Sequence, residues 1–284
     1  MDAKRIVCAG GDRRTLFLAQ GLAEEGHRVS MLGFELAETP FPAYRAGEEA
    51  DALLLPVPAL REGRIPAPFA RETPDWREAL SIPHRGGLVA GAVLPRVLTD
   101  AAAERGLRAV DLYAEPGVAV MNAVPTAEGA IVLAEEHSDV TLFRSPALVI
   151  GYGRVGRALA PRLAALGARV TVSARKPEDL AQILSCGFTP MRTDGADFSL
   201  SGFRFIFNTV PVRVLDRARL RTADASALLM ELASAPGGYD PAEAEALGLR
   251  ALAAPGLPGR IAPATAADVL REALRPHLRN CPKG

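Results

Sequence analysis

The stretch Ala147–Arg157, ALVIGYGRVGR, decides the fold of this chain. Four apolar residues run directly into a Gly-x-Gly-x-x-Gly turn, and a helical pattern of apolar residues follows. Gly151 allows a tight turn, Gly153 lets the backbone approach a pyrophosphate, and Gly156 lets the helix pack closely on the strand. Glycines alone are a weak signal, but between a strand and a helix they predict a dinucleotide-binding Rossmann unit.

The predicted turn binds phosphate through its backbone. Free N–H groups and the positive end of the helix dipole meet at the helix N-terminus and attract phosphates. We therefore expect these consecutive residues to bind the cofactor: Gly151, Tyr152, Gly153, Arg154, Val155 and Gly156.

The next predicted strand, Arg169–Ser173, indicates which dinucleotide binds. An NAD site usually has Asp or Glu at the end of this strand, about 20 residues after the first glycine, to bond the ribose 2′-hydroxyl. This chain has Ser173, Arg175 and Lys176 instead. A hydroxyl and two cations suit a 2′-phosphate, so we predict NADP rather than NAD. A solvated loop without a ligand is the alternative.

The composition fits a two-domain α/β protein. The 284 residues are enough for two cores, with 49% hydrophobic and 5% aromatic residues. Acidic and basic residues balance at 33 each, which argues against binding to nucleic acid or to an anionic membrane. The three cysteines show no metal-ligand spacing and are expected to be reduced thiols of a cytoplasmic protein. The sequence contains no uninterrupted apolar run long enough to predict a membrane span.

The N-terminal half is a degenerate copy of the same unit. Shifting the sequence by 141 residues aligns Gly10 with Gly151 and keeps the strand–turn–helix–strand pattern. In this copy Asp12 and Thr15 replace the second and third glycines. A carboxylate at the point of closest phosphate approach repels phosphate, so we expect the copy to keep the architecture and lose the dinucleotide. The loop Gly10–Arg14 is then either a contact for substrate or for another polypeptide, or a plain turn capped by Asp12.

The rest of the first half adds strands at Ala52–Leu55, Gly87–Gly91 and Ala109–Leu112. Residues 62–83 are rich in proline and charge, and they predict a surface excursion with a short helix near Trp76. The C-terminal residues Cys281–Gly284 are expected to fray.

A helix is predicted to begin at Pro125 or Thr126 and to cross to the cofactor domain. Thr126 as N-cap and Glu128 in the first turn would stabilise a helix start without any further role. Asn122, Thr126 and Glu128 nevertheless cluster where the crossing helix would line a cleft between the domains. At least one of them is therefore a candidate for the substrate site.

Further strands are predicted at Phe203–Asn208, Ala227–Leu232 and Leu249–Ala253. Ligands of open parallel sheets bind beyond the carboxyl ends of the strands. The residues that follow these strands are therefore expected to flank the cofactor: Asn208, Thr209, Val210, Pro211 and Ala233.

These patterns predict an α/β protein with two Rossmann-like, doubly wound parallel-sheet domains joined by crossing helices. Residues 1–124 plus 264–280 form the domain for substrate or subunit contacts, residues 125–144 a connecting helix and linker, and residues 145–263 the NADP-binding domain. The last predicted helix, Thr265–Leu274, begins with a capping box of Thr265 and Asp268 and packs on the first domain.

Motifs over nearly the whole chain resemble those of the dipicolinate synthase family, in its larger A-subunit. In order and spacing they are GGDRR at 10–14, NAVPTAEG at 122–129, NTVP at 208–211, PGG at 236–238 and APGLPG at 254–259. The resemblance implies a protein of the mother-cell cytoplasm in a spore-forming bacterium. It also implies a partner, the smaller, flavoprotein-like B-subunit of dipicolinate synthase, in a homo- or hetero-oligomer.

The resemblance implies the reaction as well. The two polypeptides together convert 4-hydroxy-tetrahydrodipicolinate, a small dicarboxylate, into dipicolinate with loss of water, a hydride and a proton, and NADP+ is a natural acceptor. Two carboxylates need cations or N–H donors, for which Arg14 and the helix start at Thr126 are candidates. Glu128 is the candidate base for the ring proton. The histidines show no paired aspartate and are expected to be surface or packed residues: His27, His84, His137 and His277.

Two other classes stay open. Another two-domain NAD(P)-dependent dehydrogenase, of the alanine or 2-hydroxyacid type, shares the architecture, although no His–Asp or Lys–His set is evident. A non-catalytic, NADP-binding regulatory subunit is the other alternative, because residues suited to acid–base catalysis are sparse.

Overall fold

The computed structural model describes residues 2–115 and 117–284, so Met1 and Pro116 of the predicted first domain lie outside the described residues. The chain divides into two compact units, Met1–Met121 with Ala262–Gly284, and Asn122–Ile261. Each unit contains a parallel sheet with helices between its strands. The predicted α/β class with two parallel-sheet domains is confirmed.

The first unit is built on a parallel sheet with the order β2-β1-β3-β4-β5. Its strands are β1 (Arg5–Ala9), β2 (Arg28–Leu32), β3 (Ala50–Leu54), β4 (Pro83–Gly91) and β5 (Arg108–Asp111). The helices of this part of the chain are α1 (Arg13–Glu24), α2 (Trp76–Ala79), α3 (Arg96–Glu104) and α4 (Val118–Met121), and a 3₁₀ turn, Leu112–Ala114, follows β5.

The second unit has the sheet order β11-β10-β9-β6-β7-β8, again with parallel pairs. Its strands are β6 (Pro146–Ile150), β7 (Arg169–Ala174), β8 (Thr189–Arg192), β9 (Phe205–Asn208), β10 (Leu228–Glu231) and β11 (Arg250–Ala253). Its helices are α5 (Ala123–Glu136), α6 (Arg154–Ala165), α7 (Pro177–Ser185), α8 (Arg217–Leu220), α9 (Pro241–Ala246) and α10 (Leu257–Ile261). The strand order reverses between β6 and β9, which is where open α/β sheets bind ligands.

The two units begin with the same backbone pattern. Strands β1 and β6 and helices α1 and α6 begin and end at residues separated by the same offset of 141. The internal likeness in the sequence therefore corresponds to the same strand–turn–helix arrangement in both units.

The last helix, α11 (Pro263–Arg279), returns to the first unit. It packs along α1 and buries Leu270, Leu274 and Leu278 in the core of that unit. The predicted capping box is wrong, because the helix begins at Pro263 and Asp268 instead pairs with Arg271 at 2.6 Å.

Helix α5 belongs to the core of the second unit. Ala127, Ala130, Leu133 and Ala134 pack in the same cluster as residues of β6 and α6. A stretch composed almost entirely of small and apolar residues on this face explains why the helix is part of that core rather than a separate connector. Among the described residues one helical stretch, Val118–Glu136, is apolar and long enough to span a membrane by composition alone, with 44% of its apolar window buried.

The segment of residues 62–83 is exposed over about half of its length and contains the predicted short helix, α2, but it also contributes to the core. Ile65, Trp76 and Ile82 are each at most 4% exposed and lie in one core cluster under the first sheet. Their wide spacing among prolines and charged residues hid this buried face in the sequence.

The C-terminal tail is not frayed. Cys281 is buried, and its thiol donates to the carbonyl oxygen of Asp51 at 3.1 Å. The amide of Gly284 donates to the Asp51 carboxylate at 3.0 Å. These contacts tie the tail to the start of β3.

Candidate cofactor site

The glycine turn, residues Gly151–Gly156, joins β6 to α6. Gly151 has φ +99°, and a Cβ on it would lie 2.6 Å from Thr209 Oγ1. A Cβ on Gly156 would lie 2.1 Å from the carbonyl oxygen of Gly151. Both positions therefore require glycine, the first for its backbone conformation and the second for the close approach of the helix.

Gly153 has a different role in this turn. It is the N-cap of α6, and a Cβ on it would meet no atom within 4 Å. Space is therefore open beside the first turn of the helix, whose leading N–H groups have no acceptor within the helix. This bare backbone at a helix N-terminus fits the pyrophosphate of a dinucleotide.

Tyr152 and Arg157 form the outer side of the turn. The Arg157 guanidinium lies 4.3 Å from the centroid of the Tyr152 ring, and its Nε donates to the Tyr152 carbonyl at 3.0 Å. Arg157 also pairs with Asp179 at 2.8 Å. Arg157 therefore stabilises the turn through these contacts, a role that the sequence pattern did not predict. Arg154, at the first position of α6, is exposed, and Val155 is half-buried.

The loop after β7 carries the predicted 2′-phosphate ligands. Arg175 and Lys176 are exposed, and no ion pair to either forms within the described part of the chain. The prediction for Ser173 is wrong, since this residue is fully buried and its Oγ accepts a hydrogen bond from Thr193 Oγ1 at 3.0 Å. The last residues of a strand alternate between faces, and Ser173 points into the protein.

Two loops leave the sheet beside the glycine turn. In the first exit loop, Thr209–Pro211, the Thr209 hydroxyl donates to the carbonyl of Ile150 at 2.8 Å, which fastens the loop to the end of β6. Val210 is half-buried and Pro211 is exposed. Asn208, at the end of β9, has no exposed surface, so it shapes this loop rather than facing a ligand directly.

Glu231 organises the second exit loop, Ala233–Gly238. Its carboxylate accepts from Asn208 Nδ2 at 2.7 Å, from the Ala233 amide at 3.0 Å and from the Gly238 amide at 2.8 Å. Burial raises the pKa of Glu231, and these N–H donors oppose that rise. Glu231 was not among the predicted site residues, although a carboxylate at the last position of an apolar strand is a signal for such a role.

The candidate acid–base residues on α5 do not form a catalytic group. Glu128 is exposed and pairs with Arg162 at 3.3 Å. Arg162 lies about 12 Å along α6 from Arg154, the first residue of that helix. Thr126 is not an N-cap, because the helix starts at Ala123 and the Thr126 hydroxyl donates back to the Asn122 carbonyl at 2.9 Å. Asn122 occupies the N-cap position with helical backbone angles and makes no capping bond through its side chain.

Arg14 lies in the first unit and is neither exposed nor free. Its guanidinium holds both oxygens of Asp12, with Nη2 to Oδ2 at 2.8 Å, and donates to the carbonyl of Val57 at 2.9 Å. Asp12 also caps α1 by accepting from the Arg14 amide at 2.9 Å. Asp12, Arg14 and the Val57 carbonyl therefore form a hydrogen-bonded polar cluster at the carboxyl ends of β1 and β3.

The histidines are packed residues, as expected, but two of them contact acids. His84 Nε2 lies 3.5 Å from Asp51 Oδ1, and His277 Nε2 lies 2.9 Å from Glu115 Oε1. The expectation that no histidine pairs with aspartate is thus wrong for His84. His84 and Asp51 lie at the amino-terminal ends of β4 and β3, opposite the edge where parallel sheets bind ligands. Over the described residues, no group of His, Cys, Asp and Glu has the arrangement of a metal site.

Comparison with known proteins identifies the family. The family model for the N-terminal domain of the dipicolinate synthase A-subunit matches residues 5–113. The A-subunit of dipicolinate synthase from Bacillus subtilis (strain 168) is a relative with 33% identity over 95% of this chain and 94% of its own length. The chain belongs to the dipicolinate synthase A-subunit family.

Solved structures agree with this assignment. The crystal structure of the dipicolinate synthase A-subunit from Bacillus halodurans has a TM-score of 0.88 and 32% identity, over 97% of both chains. An L-alanine dehydrogenase, 13% identical, has a TM-score of 0.64 over 96% of this chain and 88% of its own, and it shares the fold. The two-domain dehydrogenase architecture predicted from the sequence is thereby confirmed.

Proposed function

We propose that this chain is the NADP-dependent oxidoreductase component of a dipicolinate synthase. The reaction converts 4-hydroxy-tetrahydrodipicolinate into dipicolinate by loss of water and of two electrons, which leave as a hydride together with a proton. The observation that carries the proposal is the open backbone at Gly153, found in a chain that aligns with a dipicolinate synthase relative along nearly its whole length.

The residues present fit a nicotinamide dinucleotide. The amides of the glycine turn would hold the pyrophosphate, and the exposed Arg175 and Lys176 would hold the 2′-phosphate that distinguishes NADP from NAD. No carboxylate stands at the end of β7, where an NAD site has Asp or Glu to bond a free 2′-hydroxyl. Bound NADP+ supplies the hydride acceptor, and the chain's part is to position it.

Substrate recognition is proposed for the first unit. The substrate carries two carboxylates, and Arg14 provides a buried guanidinium held in place by Asp12 and Val57. A dicarboxylate would compete with Asp12 for this guanidinium, so Asp12 must turn away when substrate binds. Glu128 is not proposed as the base, because its carboxylate faces solvent and pairs with Arg162.

The partner and the setting are proposed on the basis of the family assignment. We propose that the chain works with the smaller, flavoprotein-like B-subunit in the mother-cell cytoplasm of a sporulating bacterium, in a homo- or hetero-oligomer. NADP+ accepts the two electrons, so this partner has only to complete or shield the site rather than to supply an oxidant.

The test uses the purified chain alone and together with the B-subunit, supplied with NADP+ and freshly prepared 4-hydroxy-tetrahydrodipicolinate. We expect dipicolinate and NADPH to form in equal amounts when both polypeptides are present. Turnover of alanine or of a 2-hydroxy acid instead would favour a dehydrogenase of those types. Cofactor binding without turnover, even with the partner present, would favour a regulatory role.

A further inference from the structure

Glu231 and Asn208 occupy matching positions on neighbouring strands. They are the last residues of β10 and β9, and the sheet register places them opposite each other. Asn208 Nδ2 donates to Glu231 Oε1 at 2.7 Å. The pair therefore joins the two strands at the carboxyl edge, where each exit loop begins.

Each exit loop is fastened to this pair by its backbone. Asn208 holds the first exit loop by donating to the Val210 carbonyl at 3.0 Å and accepting from the Val210 amide at 3.2 Å. Glu231 holds the second exit loop through the amides of Ala233 and Gly238. Moving either side chain would therefore release loop backbone on both sides of the pair.

The second exit loop is built for this close contact. A Cβ on Gly238 would lie 2.3 Å from Asn208 Nδ2, and a Cβ on Gly237, at φ +80°, would lie 3.1 Å from Glu231 Oε2. Both glycines let the loop backbone close over the carboxylate–amide pair.

Among residues 2–115 and 117–284, no cation pairs with the Glu231 carboxylate. Its hydrogen-bond donors in the described structure are an amide side chain and two backbone amides. Both oxygens already accept, Oε1 from Asn208 and Ala233 and Oε2 from Gly238. Because its acceptor sites are occupied in this way, the carboxylate is better suited to fixing the backbone of the exit loops than to exchanging a proton with substrate.

We propose that Glu231 is a positioning residue for the nicotinamide half of the cofactor, acting through Asn208 and the two exit loops. The inference rests on the proposed function, since the exit loops flank a nicotinamide only if NADP binds at the glycine turn. The adenosine and pyrophosphate half is held by other elements, the glycine turn and the loop after β7. Glu231 thus affects one half of the cofactor and leaves the other unchanged.

The test compares Glu231→Gln with Glu245→Gln in the full chain. Glu245 is a matched control. Glu231 and Glu245 both line a cavity of about 520 Å³ beside β11, but the Glu245 side chain makes no hydrogen bond in the described structure. Calorimetry measures the affinity for NADPH and for 2′-phospho-ADP-ribose, which lacks the nicotinamide. Glu231→Gln should weaken NADPH about ten-fold, the value of one hydrogen bond to a charged group, and leave the fragment within about two-fold.

Gly238→Ala tests the same contact by a second route, and it serves if the glutamine variant does not fold. Its new Cβ displaces Asn208, so it should produce the same selective loss of NADPH affinity. Equal NADPH affinity in Glu231→Gln and Glu245→Gln, or equal losses for NADPH and the fragment, would overturn the inference. Failure of the native chain to bind either ligand would overturn the proposed function, and the inference with it.

Discussion

The two turns that follow β1 and β6 share a backbone plan and differ in what fills them. At the N-terminal turn, a Cβ on Gly10 would lie 2.5 Å from Ile65 Cγ2, and the Gly11 amide donates to the Pro66 carbonyl at 2.6 Å. At the glycine turn, the corresponding first glycine is equally crowded, since a Cβ on Gly151 would lie 2.6 Å from Thr209 Oγ1. The turns differ at the next motif position, where Asp12 places a carboxylate in the first unit and Gly153 leaves open space in the second.

The comparison shows how a phosphate site is lost without losing the fold. Asp12 stands where Gly153 stands in the second unit, and its carboxylate accepts from the Arg14 amide at the first turn of α1. The Arg14 amide, which would otherwise be free to bind a phosphate, thus donates to the Asp12 carboxylate, which is negatively charged as a phosphate is. The helix is better capped as a result, and the anion site is gone.

The largest effect is expected from Gly153→Asp, which recreates the N-terminal turn in the second unit. The carboxylate should cap α6 and repel the pyrophosphate, so NADPH affinity should fall by at least 100-fold, about 3 kcal/mol. Gly153→Ala separates charge from bulk, because its Cβ meets no protein atom but enters the space proposed for the pyrophosphate, and its loss of affinity should be smaller than that of the aspartate variant. Calorimetry that finds native-like NADPH affinity in the aspartate variant would show that the cofactor binds elsewhere.

The next effect is expected from Gly156→Ala. Its Cβ would lie 2.1 Å from the Gly151 carbonyl oxygen, so α6 must shift away from the turn. Overpacking of this kind costs about 1–3 kcal/mol in the free energy of unfolding. Urea denaturation measures the loss, and a midpoint equal to that of Gly153→Ala would show that the helix is less tightly placed than this structure has it.

A smaller and selective effect is expected from replacing Arg175 and Lys176 with Ala. Removing two cations from a 2′-phosphate should weaken NADPH by about 1–3 kcal/mol and leave NADH almost unchanged. Arg192→Ala is a suitable control, since that arginine is exposed and pairs with Asp194 at 2.9 Å. Equal losses for the two cofactors would overturn the preference for NADP.

The smallest effect on cofactor binding is expected from Asp12→Gly. The substitution restores the second glycine of the motif, but the Gly11 amide still donates to the Pro66 carbonyl and Ile65 still packs beside Gly10. Binding should remain at one NADPH per chain, while the variant loses the ion pair of Arg14. A stoichiometry of two in calorimetry would mean that Asp12 alone had closed the first site.

Local patterns predicted much of this architecture. The glycine turn, the strands beside it and the degenerate copy follow from apolar runs and glycine positions that act over a few residues. The local pattern did not predict that Glu231 connects the two exit loops, because its partners Asn208 and Gly238 come from two other segments of the chain. Burial of Trp76 was hidden for a similar reason, since its core neighbours are distant in sequence.

The errors in the two predicted helix starts have a common cause. Thr126 and Thr265 both look like N-caps, yet α5 begins at Ala123 and α11 at Pro263. In each case the helix begins closer to the N-terminus than predicted, because buried apolar residues there gain more from packing than a side-chain cap provides.

A crystal structure of the chain with NADPH tests the central claim most directly. The account predicts the pyrophosphate within hydrogen-bonding distance of the backbone amides at Gly153 and the first turn of α6, with the 2′-phosphate beside Arg175 and Lys176. Density for the dinucleotide at the N-terminal turn, or side chains closing the space beside Gly153 at saturating NADPH, would contradict it.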